Sequence, residues 1–347
     1  MSDVQNRRIL LASRPEGKPT LDNFRIEAAP CPAPGPGEVL TKTLWLSLDP
    51  YMRGRMNAAK SYAAPVGIGE VMEGGTVGEV VASRSDLFRP GDVVLGHGGW
   101  QEYAVLGEKT LRKLDPAAAP VQTALGVLGM PGMTAYTGLH NIGQPKPGET
   151  LAIAAATGPV GATVGQIARI RGCRTVGIAG GPAKCRALIE EFGFDAAVDH
   201  KAPDFPEKLA AACPGGIDIY FENVGGAVWT AVFPLLNDFA RVPVCGRIAN
   251  YSDTAPPPGP DRTPQLFGAI LTKRLRIQGF IVWDFASQAK DFQREMGAWI
   301  REGRIKYRED VVEGIGNAPE AFLGLLEGRN FGKLLVKVAS PRMQAPD

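Results

Sequence analysis

The residues with the clearest capacity for chemistry form a glycine-rich run, AAATGPVGATVG, at positions 154–165. An apolar segment at residues 151–156 predicts a buried strand, and a helical pattern follows the glycines. A strand, a glycine turn and a helix in this order place backbone N–H groups where they can bind a pyrophosphate. Ala156 replaces the first glycine of the G-x-G-x-x-G pattern, so the motif also fits an ordinary glycine-rich turn. Nucleotide binding is therefore the first hypothesis.

The charges beyond the next strand indicate which nucleotide would bind. In folds that bind NAD, an acidic residue about twenty positions further on bonds the ribose 2′-hydroxyl. Residues 178–181 occupy that place and contain no carboxylate. Lys184 and Arg186 follow them, and His200 and Lys201 come after a further strand. Cations without an acid suit a 2′-phosphate, which favours NADP over NAD, although these side chains also fit a solvated helix face.

Alternating strand and helix patterns surround the glycine run. Strand-like runs recur at residues 175–179, 217–221, 240–245 and 275–281, with helical patterns at 183–192 and 205–212. This alternation predicts a βαβ series with a parallel sheet. The proline-rich stretch at 253–260 is expected to be a loop over a site.

The two ends of the chain have a different texture. Residues 1–125 are rich in proline and glycine, with short β-like runs at 38–46, 78–81, 92–95 and 102–105. Strand patterns return at 306–311 and 333–338, on either side of a helix near 318–326. We therefore predict an α/β protein with a small, barrel-like β-rich domain at 1–125, a nucleotide-binding domain at 126–300 and a C-terminal segment at 301–347.

Composition excludes several classes of function. A chain of 347 residues fits two domains. With a net charge of +2 there is no reason to expect nucleic acid or an anionic membrane as a partner. No run reaches the roughly 20 apolar residues that a membrane span needs. The first residues lack the apolar core of a signal peptide, so we expect a cytoplasmic protein.

Cysteine and histidine usage argues against disulfides and metals. The cysteines are Cys31, Cys173, Cys185, Cys213 and Cys245. They are odd in number and scattered, so a disulfide framework is not expected. The histidines are His97, His140 and His200, and none pairs with another at metal-ligand spacing. A zinc site assembled from distant segments stays open at this point.

Longer motifs carry a family resemblance. The chain resembles the medium-chain dehydrogenase/reductase superfamily over essentially its whole length, on PGPGEVL (34–40), RPGDVV (89–94) and AATGPVG (155–161). Within it, the chain is similar to the zinc-independent prostaglandin/leukotriene reductase branch, the NADPH-dependent alkenal/one reductases. The motifs for that branch are LSLDPYMRGRM (46–56), GMPGMTAY (129–136), FENVGG (221–226) and NFGK (330–333).

The resemblance implies a GroES-like β-rich domain, a Rossmann domain with a doubly wound parallel sheet, and a C-terminal return to the first domain. Zinc-dependent members carry a cysteine and a Gly-His-Glu ligand set. Here Ser47 and Leu48 stand in the region of the cysteine, and residues 69–71 hold the glycine and glutamate with no histidine between them. We therefore expect NADP(H) as the cofactor and no zinc. Relatives pair Rossmann edge strands, which implies a homodimer through the strand at 276–281.

The resemblance also implies which residues contact the cofactor. The glycine turn would cradle the pyrophosphate, Lys184 would pair with the 2′-phosphate near His200, and the remaining contacts would lie along the nicotinamide half. In chain order these residues are Gly158, Pro159, Val160, Gly161, Lys184, His200, Asn223, Cys245, Gly246, Tyr251, Phe280, Ile281, Val282 and Asn330. Asn223 also fits an ordinary turn asparagine, and Cys245 fits a buried structural thiol better than a nucleophile.

The reaction that the resemblance implies is reduction of the C=C bond of α,β-unsaturated ketones and aldehydes. Small, apolar, conjugated substrates such as alkenals and curcumin-like enones would accept a hydride at the β-carbon, and the enolate would then be protonated. Tyr251 would polarise the carbonyl as a neutral hydrogen-bond donor. Tyr51 and Tyr62 would line the substrate cleft, and Tyr51 would be able to protonate the α-carbon. Plain packing of these tyrosines is the alternative.

Two further functions remain open from the sequence. One is a zinc-free quinone reductase of the same superfamily, which would share the cofactor site. The other is a nucleotide-binding protein without catalysis. Assays with quinones discriminate the first, and cofactor binding without any turnover would indicate the second.

Overall fold

The computed structural model describes residues 4–256 and 259–340. The chain divides into two compact units: unit 1 takes the described parts of Met1–Leu125 and Glu309–Asp347, and unit 2 is Gly126–Arg308. The second boundary therefore follows residue 308, whereas the sequence placed it after 300. The difference arises because the segment up to Lys306 is tied into unit 2. The Lys306 carbonyl oxygen accepts a hydrogen bond from Gln166 Nε2 (2.9 Å), and the Lys306 N–H donates one to Gln166 Oε1 (2.8 Å).

The elements are numbered in chain order over the described residues. The strands are β1 (Gln5–Leu11), β2 (Phe24–Pro30), β3 (Glu38–Ser47), β4 (Thr76–Ser83), β5 (Val93–Gly96), β6 (Tyr103–Gly107), β7 (Arg112–Leu114), β8 (Thr150–Ala154), β9 (Arg174–Ala179), β10 (Ala196–Asp199), β11 (Ile217–Phe221), β12 (Leu236–Val244), β13 (Arg276–Gly279), β14 (Glu309–Glu313) and β15 (Lys333–Lys337). The helices are α1 (Met52–Arg55), α2 (Met130–Gly138), α3 (Pro159–Ile170), α4 (Pro182–Glu190), α5 (Phe205–Ala212), α6 (Gly226–Val232), α7 (Thr263–Lys273), α8 (Ala289–Arg301) and α9 (Ala318–Leu326).

Unit 2 is built on a six-stranded parallel sheet in the order β10-β9-β8-β11-β12-β13. The strands at the centre, β8 and β11, are short and mostly apolar, as in a sheet covered on both faces. Two hydrophobic clusters cover the two faces. The chain leaves β8 toward β9 on one side and later returns to β11 on the other. This strand order is that of a doubly wound dinucleotide-binding sheet, whose ligand lies at the carboxyl ends of the strands beside the reversal.

Glycines let the first helix of this sheet pack closely on its strand. A Cβ on Gly161 would lie 2.4 Å from the carbonyl oxygen of Ala155, and one on Gly165 would lie 1.9 Å from the Phe194 ring. Neither contact is possible for a residue with a side chain. Gly161 therefore lets α3 lie against the turn after β8, and Gly165 leaves room for the ring of Phe194.

Unit 1 is β-rich. Its main sheet follows the order β14-β15-β3-β4-β5-β7, and β6 also pairs with β3, along residues 38–42. β1 pairs with β2 as a separate hairpin. β15 lies parallel to β14 and antiparallel to β3, so the C-terminal segment completes the N-terminal sheet. A cluster of the buried Trp100 and Phe322 with the partly buried Phe24 joins the hairpin, a loop and α9. The expected fold class, a β-rich domain with a doubly wound parallel sheet, is confirmed.

The elements differ from the sequence predictions mainly at their ends. The run predicted at 240–245 starts at Leu236, before Phe239, which lies in the left-handed region (φ 60°) where the pairing with β11 is irregular. The run at 275–281 contains only the four residues of β13, and the run at 306–311 begins as strand only at Glu309. In the stretch at 253–260 the described residues form no helix or strand, and Pro257 and Pro258 lie outside the described residues. No helix within residues 4–256 or 259–340 is long and apolar enough to cross a membrane.

Candidate active site

The glycine turn leads into α3 in a form suited to an anion. Gly158 is the residue before the helix, no side chain caps the first turn, and Pro159 takes the first helical position. Proline has no N–H to leave unsatisfied there. The remaining N–H groups of the first turn have no acceptor within the helix, and the helix dipole favours negative charge at this end. The turn therefore fits a pyrophosphate group.

The strained residue of the turn is Ala155. Its φ of 51° lies in the left-handed region that glycine adopts most readily. Ala156, the residue at the first glycine position of the motif, is fully buried, and its Cβ lies 3.1 Å from where a Cβ on Gly177 would be. Alanine is therefore accommodated at 156 because Gly177 on the neighbouring strand leaves room for it.

Basic side chains gather around the turn after β9. A Cβ on Gly180 would lie 3.0 Å from His200 Nε2 and 3.0 Å from Lys201 Cε, so both side chains approach this turn closely. Partial burial lowers the pKa of His200, and the charges of Lys201 and Lys184 lower it further against the opposing effect of Asp199. The half-buried Lys184 on α4 is thus close enough to His200 for its charge to act on the imidazole.

A carboxylate that the sequence analysis did not place here lies beside these cations. Asp199 Oδ1 accepts hydrogen bonds from the N–H groups of Gly181 (2.8 Å) and Lys201 (2.9 Å). These bonds lower the pKa of Asp199 and keep it ionised. This carboxylate stands at the end of β10, not at the end of β9. It binds backbone N–H groups, including one of the turn after β9.

The segment after β11 is tied to β8 across the reversal of the sheet. Asn223 Nδ2 donates to the carbonyl oxygen of Ala154 (3.0 Å). The buried Glu222 accepts three hydrogen bonds at Oε1, from Val224 N–H (2.6 Å), Gly225 N–H (2.9 Å) and the Tyr220 hydroxyl (3.1 Å). Burial raises the pKa of Glu222, against the lowering effect of these bonds. Glu222, which the sequence analysis did not single out, fixes the turn that carries Asn223.

The loop after β12 is bound to that turn. Cys245 and Gly246 both donate their N–H groups to the Glu222 carbonyl, and Ile248 donates to the Asn223 carbonyl. Tyr251 ends the short 3-10 turn of Ile248–Asn250. Its hydroxyl oxygen lies 3.0 Å from where a Cβ on Gly246 would be, so the phenol approaches the Gly246 backbone. Burial raises the pKa of the Cys245 thiol to about 12, which keeps it protonated and unreactive.

The residues after β13 divide between core and surface. Phe280 is buried, with its ring centroid 6.1 Å from that of Phe221 and 6.1 Å from that of Phe285. Ile281 and Val282 are half-buried, and the N–H of Ile281 donates to Asp284 Oδ2 (2.9 Å). A contact of Phe280 with a nicotinamide ring therefore stays a prediction.

Tyr51, Tyr62 and Asn330 lie in unit 1. Burial, followed by the charges of Asp49 and Glu73, raises the pKa of the Tyr51 phenol. Tyr62 is 53% exposed. Asn330 Nδ2 donates to the Gly332 carbonyl (2.9 Å), and Asn330 lines a cavity of about 290 Å³ together with residues of α9 and β14.

Possible metal ligands do not cluster in the part of the chain that the structure describes: no three His, Cys, Asp or Glu side chains come together in an arrangement that could hold an ion.

Comparison with known proteins places this site in a family. Residues 7–114 match the family model described as the N-terminal domain of oxidoreductase, and residues 159–301 match the one described as zinc-binding dehydrogenase. The chain is 56% identical over 336 residues to the NADPH-dependent curcumin reductase of Escherichia coli K12, covering 96% of this chain and 97% of that protein. The chain belongs to the medium-chain dehydrogenase/reductase family.

Other family members agree with this placement and with the resemblance found in the motifs. Prostaglandin reductase 1 of Bos taurus is 39% identical over 327 residues, covering 92% of this chain and 95% of that protein. The crystal structure of CurA from Vibrio vulnificus in complex with NADPH has a TM-score of 0.94 and 53% identity. It covers 96% of this chain and 100% of that one. The dehydrogenase/reductase fold of this chain is thus shared over nearly its full length.

Proposed function

We propose that this protein is an NADPH-dependent reductase that reduces the C=C bond of α,β-unsaturated ketones and aldehydes. The observation that carries the proposal is the hydrogen bonding among the loops at the carboxyl ends of the parallel strands. There, Asn223 joins the end of β11 to β8, and the loop of Tyr251 is bonded to the same turn. The 56% identity to curcumin reductase supports the proposed substrate class.

The cofactor contacts are proposed on this framework. The uncapped first turn of α3 would hold the pyrophosphate, and Lys184 would hold the 2′-phosphate beside His200. The lowered pKa of His200 keeps its imidazole neutral at neutral pH. A neutral imidazole can still donate one hydrogen bond to a phosphate. Cys245, Gly246 and Tyr251 would face the nicotinamide half.

The chemistry requires few groups from the protein. When bound, NADPH supplies a hydride to the β-carbon of the substrate. Negative charge then develops on the carbonyl oxygen, where the Tyr251 hydroxyl would donate a hydrogen bond and stabilise the enolate. Tyr51 would return a proton to the α-carbon; its phenol holds that proton at neutral pH, and the burial that raises its pKa also makes it a weaker acid. Hydride and proton together complete the saturated product.

The proposal includes a small, apolar, conjugated substrate, no zinc, and a homodimer. β13 is the last strand of the six-stranded sheet, and the free side of an edge strand can pair with another chain. The cytoplasmic location expected from the sequence stays a prediction.

The experiment that tests the function follows the loss of NADPH absorbance with 3-nonen-2-one, with and without a metal chelator, and with NADH in place of NADPH. We expect turnover with NADPH that the chelator does not reduce and that is poor with NADH. Turnover of quinones without turnover of enones would replace the proposal with a quinone reductase. NADPH binding without turnover of enones, enals or quinones would replace it with a non-catalytic role.

A further inference from the structure

A buried guanidinium in unit 1 contacts both tyrosines, Tyr51 and Tyr62, that the family resemblance assigns to the substrate cleft. The Cζ of Arg55 lies 4.5 Å from the ring centroid of Tyr62 and 5.6 Å from that of Tyr51. Both distances lie within the range of cation–π attraction. The Arg55 side chain is only 5% exposed. One desolvated cation is therefore shared by two aromatic rings from different segments of the chain.

The orientation of this guanidinium is fixed by polar contacts. Arg55 Nε lies 2.6 Å from Glu73 Oε1, and Arg55 Nη1 donates to the carbonyl oxygen of Ala63 (3.3 Å). Ala63 directly follows Tyr62, so Arg55 binds the backbone of this loop as well as its ring. The Arg55 carbonyl accepts from Val66 N–H (2.9 Å), which closes the loop. The planar donor set of arginine makes such an arrangement directional.

We propose that Arg55 is a positioning residue that holds Tyr51 and Tyr62 as one aromatic surface. This surface selects unsaturated carbonyl substrates whose double bond is conjugated to a planar aryl ring. The inference rests on the proposed function, because it takes Tyr51 and Tyr62 to line the cleft in which that enone reduction would occur. An aryl group gains from ring-to-ring contact beyond the area it buries, by a factor of about three to ten, and an alkyl chain does not.

An apolar side chain at position 55 would fill similar space without these effects. Methionine would lose the hydrogen bonds to Glu73 and Ala63 and the cation–π attraction to the two rings. Lysine would keep the charge but lose the planar donor set. The series Arg, Lys, Met thus separates the orientation of the rings from the filling of the space.

The test compares kcat/KM for 4-phenyl-3-buten-2-one and for 3-nonen-2-one in the wild type, Arg55→Lys and Arg55→Met. The ratio of the two values cancels changes in cofactor binding and in the fraction of active protein. We expect Arg55→Met to lower the aryl-to-alkyl ratio about three- to tenfold, with Arg55→Lys between Arg55→Met and the wild type. The aryl substrate should change mainly in KM, since the surface acts on binding.

Arg53 supplies a matched control on the same helix. It is also buried, and its side chain donates to Asn57 Oδ1 (2.6 Å) and to the Gly17 carbonyl (2.7 Å). Arg53→Lys should leave the aryl-to-alkyl ratio unchanged. Tyr62→Leu, at a largely exposed position, should lower the ratio as Arg55→Met does.

The outcomes are distinct. If the wild type reduces neither substrate, the proposed function fails and this inference falls with it. If the wild type reduces both, and Arg55→Lys and Arg55→Met keep the ratio within about twofold, the inference alone is overturned. If Arg55→Met does not fold by near-ultraviolet circular dichroism, the ratio in Arg55→Lys decides, and an unchanged ratio there overturns the inference.

Discussion

Lys333 Nζ lies 3.0 Å from Asp49 Oδ1, and both side chains are buried. The ammonium also donates to the carbonyl oxygens of Leu48 and Leu334, and Asp49 Oδ2 accepts from the Ser47 hydroxyl. The pair thus joins the LSLDPYMRGRM and NFGK motifs, which lie far apart in the sequence. Asp49 stands two residues before Tyr51, so this bond holds the start of the segment that carries Tyr51.

Breaking this pair from one side should destabilise the protein strongly. Lys333→Met leaves a buried carboxylate without its cation, at a cost of about 3–5 kcal/mol in the free energy of unfolding. The exposed pair of Lys337 and Glu313, with nitrogen and oxygen 3.5 Å apart, is the control. Lys337→Met should cost less than about 1 kcal/mol. Denaturant titrations of the apo protein measure both, and equal costs would contradict the expectation.

Gly246 should be needed for the position of Tyr251. The Cβ of Gly246→Ala would lie 3.0 Å from the Tyr251 hydroxyl oxygen and would displace it. We expect enone turnover to fall about tenfold, the equivalent of about 1.4 kcal/mol in the barrier. Tyr251→Phe should lower it as well, and the double variant should lose little more than the stronger single one. Gly268→Ala on α7, where an added Cβ meets nothing within 4 Å, is the control. Additive losses would show that Gly246 acts independently of Tyr251.

Lys184 should discriminate NADPH from NADH. Removing a hydrogen bond to a charged phosphate costs about 1.5–3 kcal/mol, so Lys184→Ala should raise the KM for NADPH tenfold or more. The KM for NADH should change little, because NADH lacks the 2′-phosphate. Arg186→Ala, at an exposed position on the same helix, should have a small effect on both. A similar rise for both cofactors after Lys184→Ala would refute the assignment.

Glu222 should make stability depend on pH. Burial raises its pKa above the ordinary value of 4.5, so the native state retains a proton that the unfolded chain releases as the pH rises past 4.5. This contribution to stability is fully present below that value and is lost as the pH rises through the folded-state pKa. Glu222→Gln keeps an acceptor for Val224 and Gly225 and removes the titration. The variant should therefore become more stable relative to the wild type as the pH rises. The total gain in its unfolding free energy should be about 1.4 kcal/mol for each unit by which burial raises the pKa of Glu222. Parallel pH curves would argue against it.

Ala155 and Ala156 should respond in opposite directions to glycine. Ala155→Gly removes the strain of a left-handed alanine and should stabilise the protein by about 1 kcal/mol. Ala156→Gly removes a buried methyl group from a site with ordinary backbone geometry and should destabilise it by about 1 kcal/mol. Thermal unfolding of the pair measures both signs. Destabilisation by both changes would mean that the φ of Ala155 carries no strain.

The parallel-sheet unit was largely predictable because its central strands are mostly apolar and helical patterns separate the strand-like runs. The helix at Phe205–Ala212 was predicted at its observed bounds. The hairpin of β1 and β2 was missed because no tight turn joins the two strands; residues 12–23 lie between them. Patterns of hydrophobicity do not report a pairing across so long a connection.

The missed site residues act across strands or loops. Asp199 reaches the turn after β9 only because β10 lies beside β9 in the sheet. In the sequence, Glu222 resembles an ordinary polar residue at the end of a strand. Its hydrogen bonds from the N–H groups of Val224 and Gly225 depend on the backbone geometry of the turn. Arg55 meets Tyr62 because the intervening loop folds back. None of these relationships has a sequence period, so spacing could not reveal them.

The position of β15 between β14 and β3 has a consequence for synthesis. Unit 2 is complete in the chain once residue 308 has been made, whereas unit 1 still lacks two strands of its sheet. The sheet of unit 1 therefore cannot be completed until β14 and β15 have been made, and Asp49 gains its ion-pair partner only when Lys333 has been made. Unit 1 is interrupted in the chain by unit 2, so a nascent chain stalled after residue 308 has every strand of the six-stranded parallel sheet but still lacks β14 and β15 of the β-rich unit.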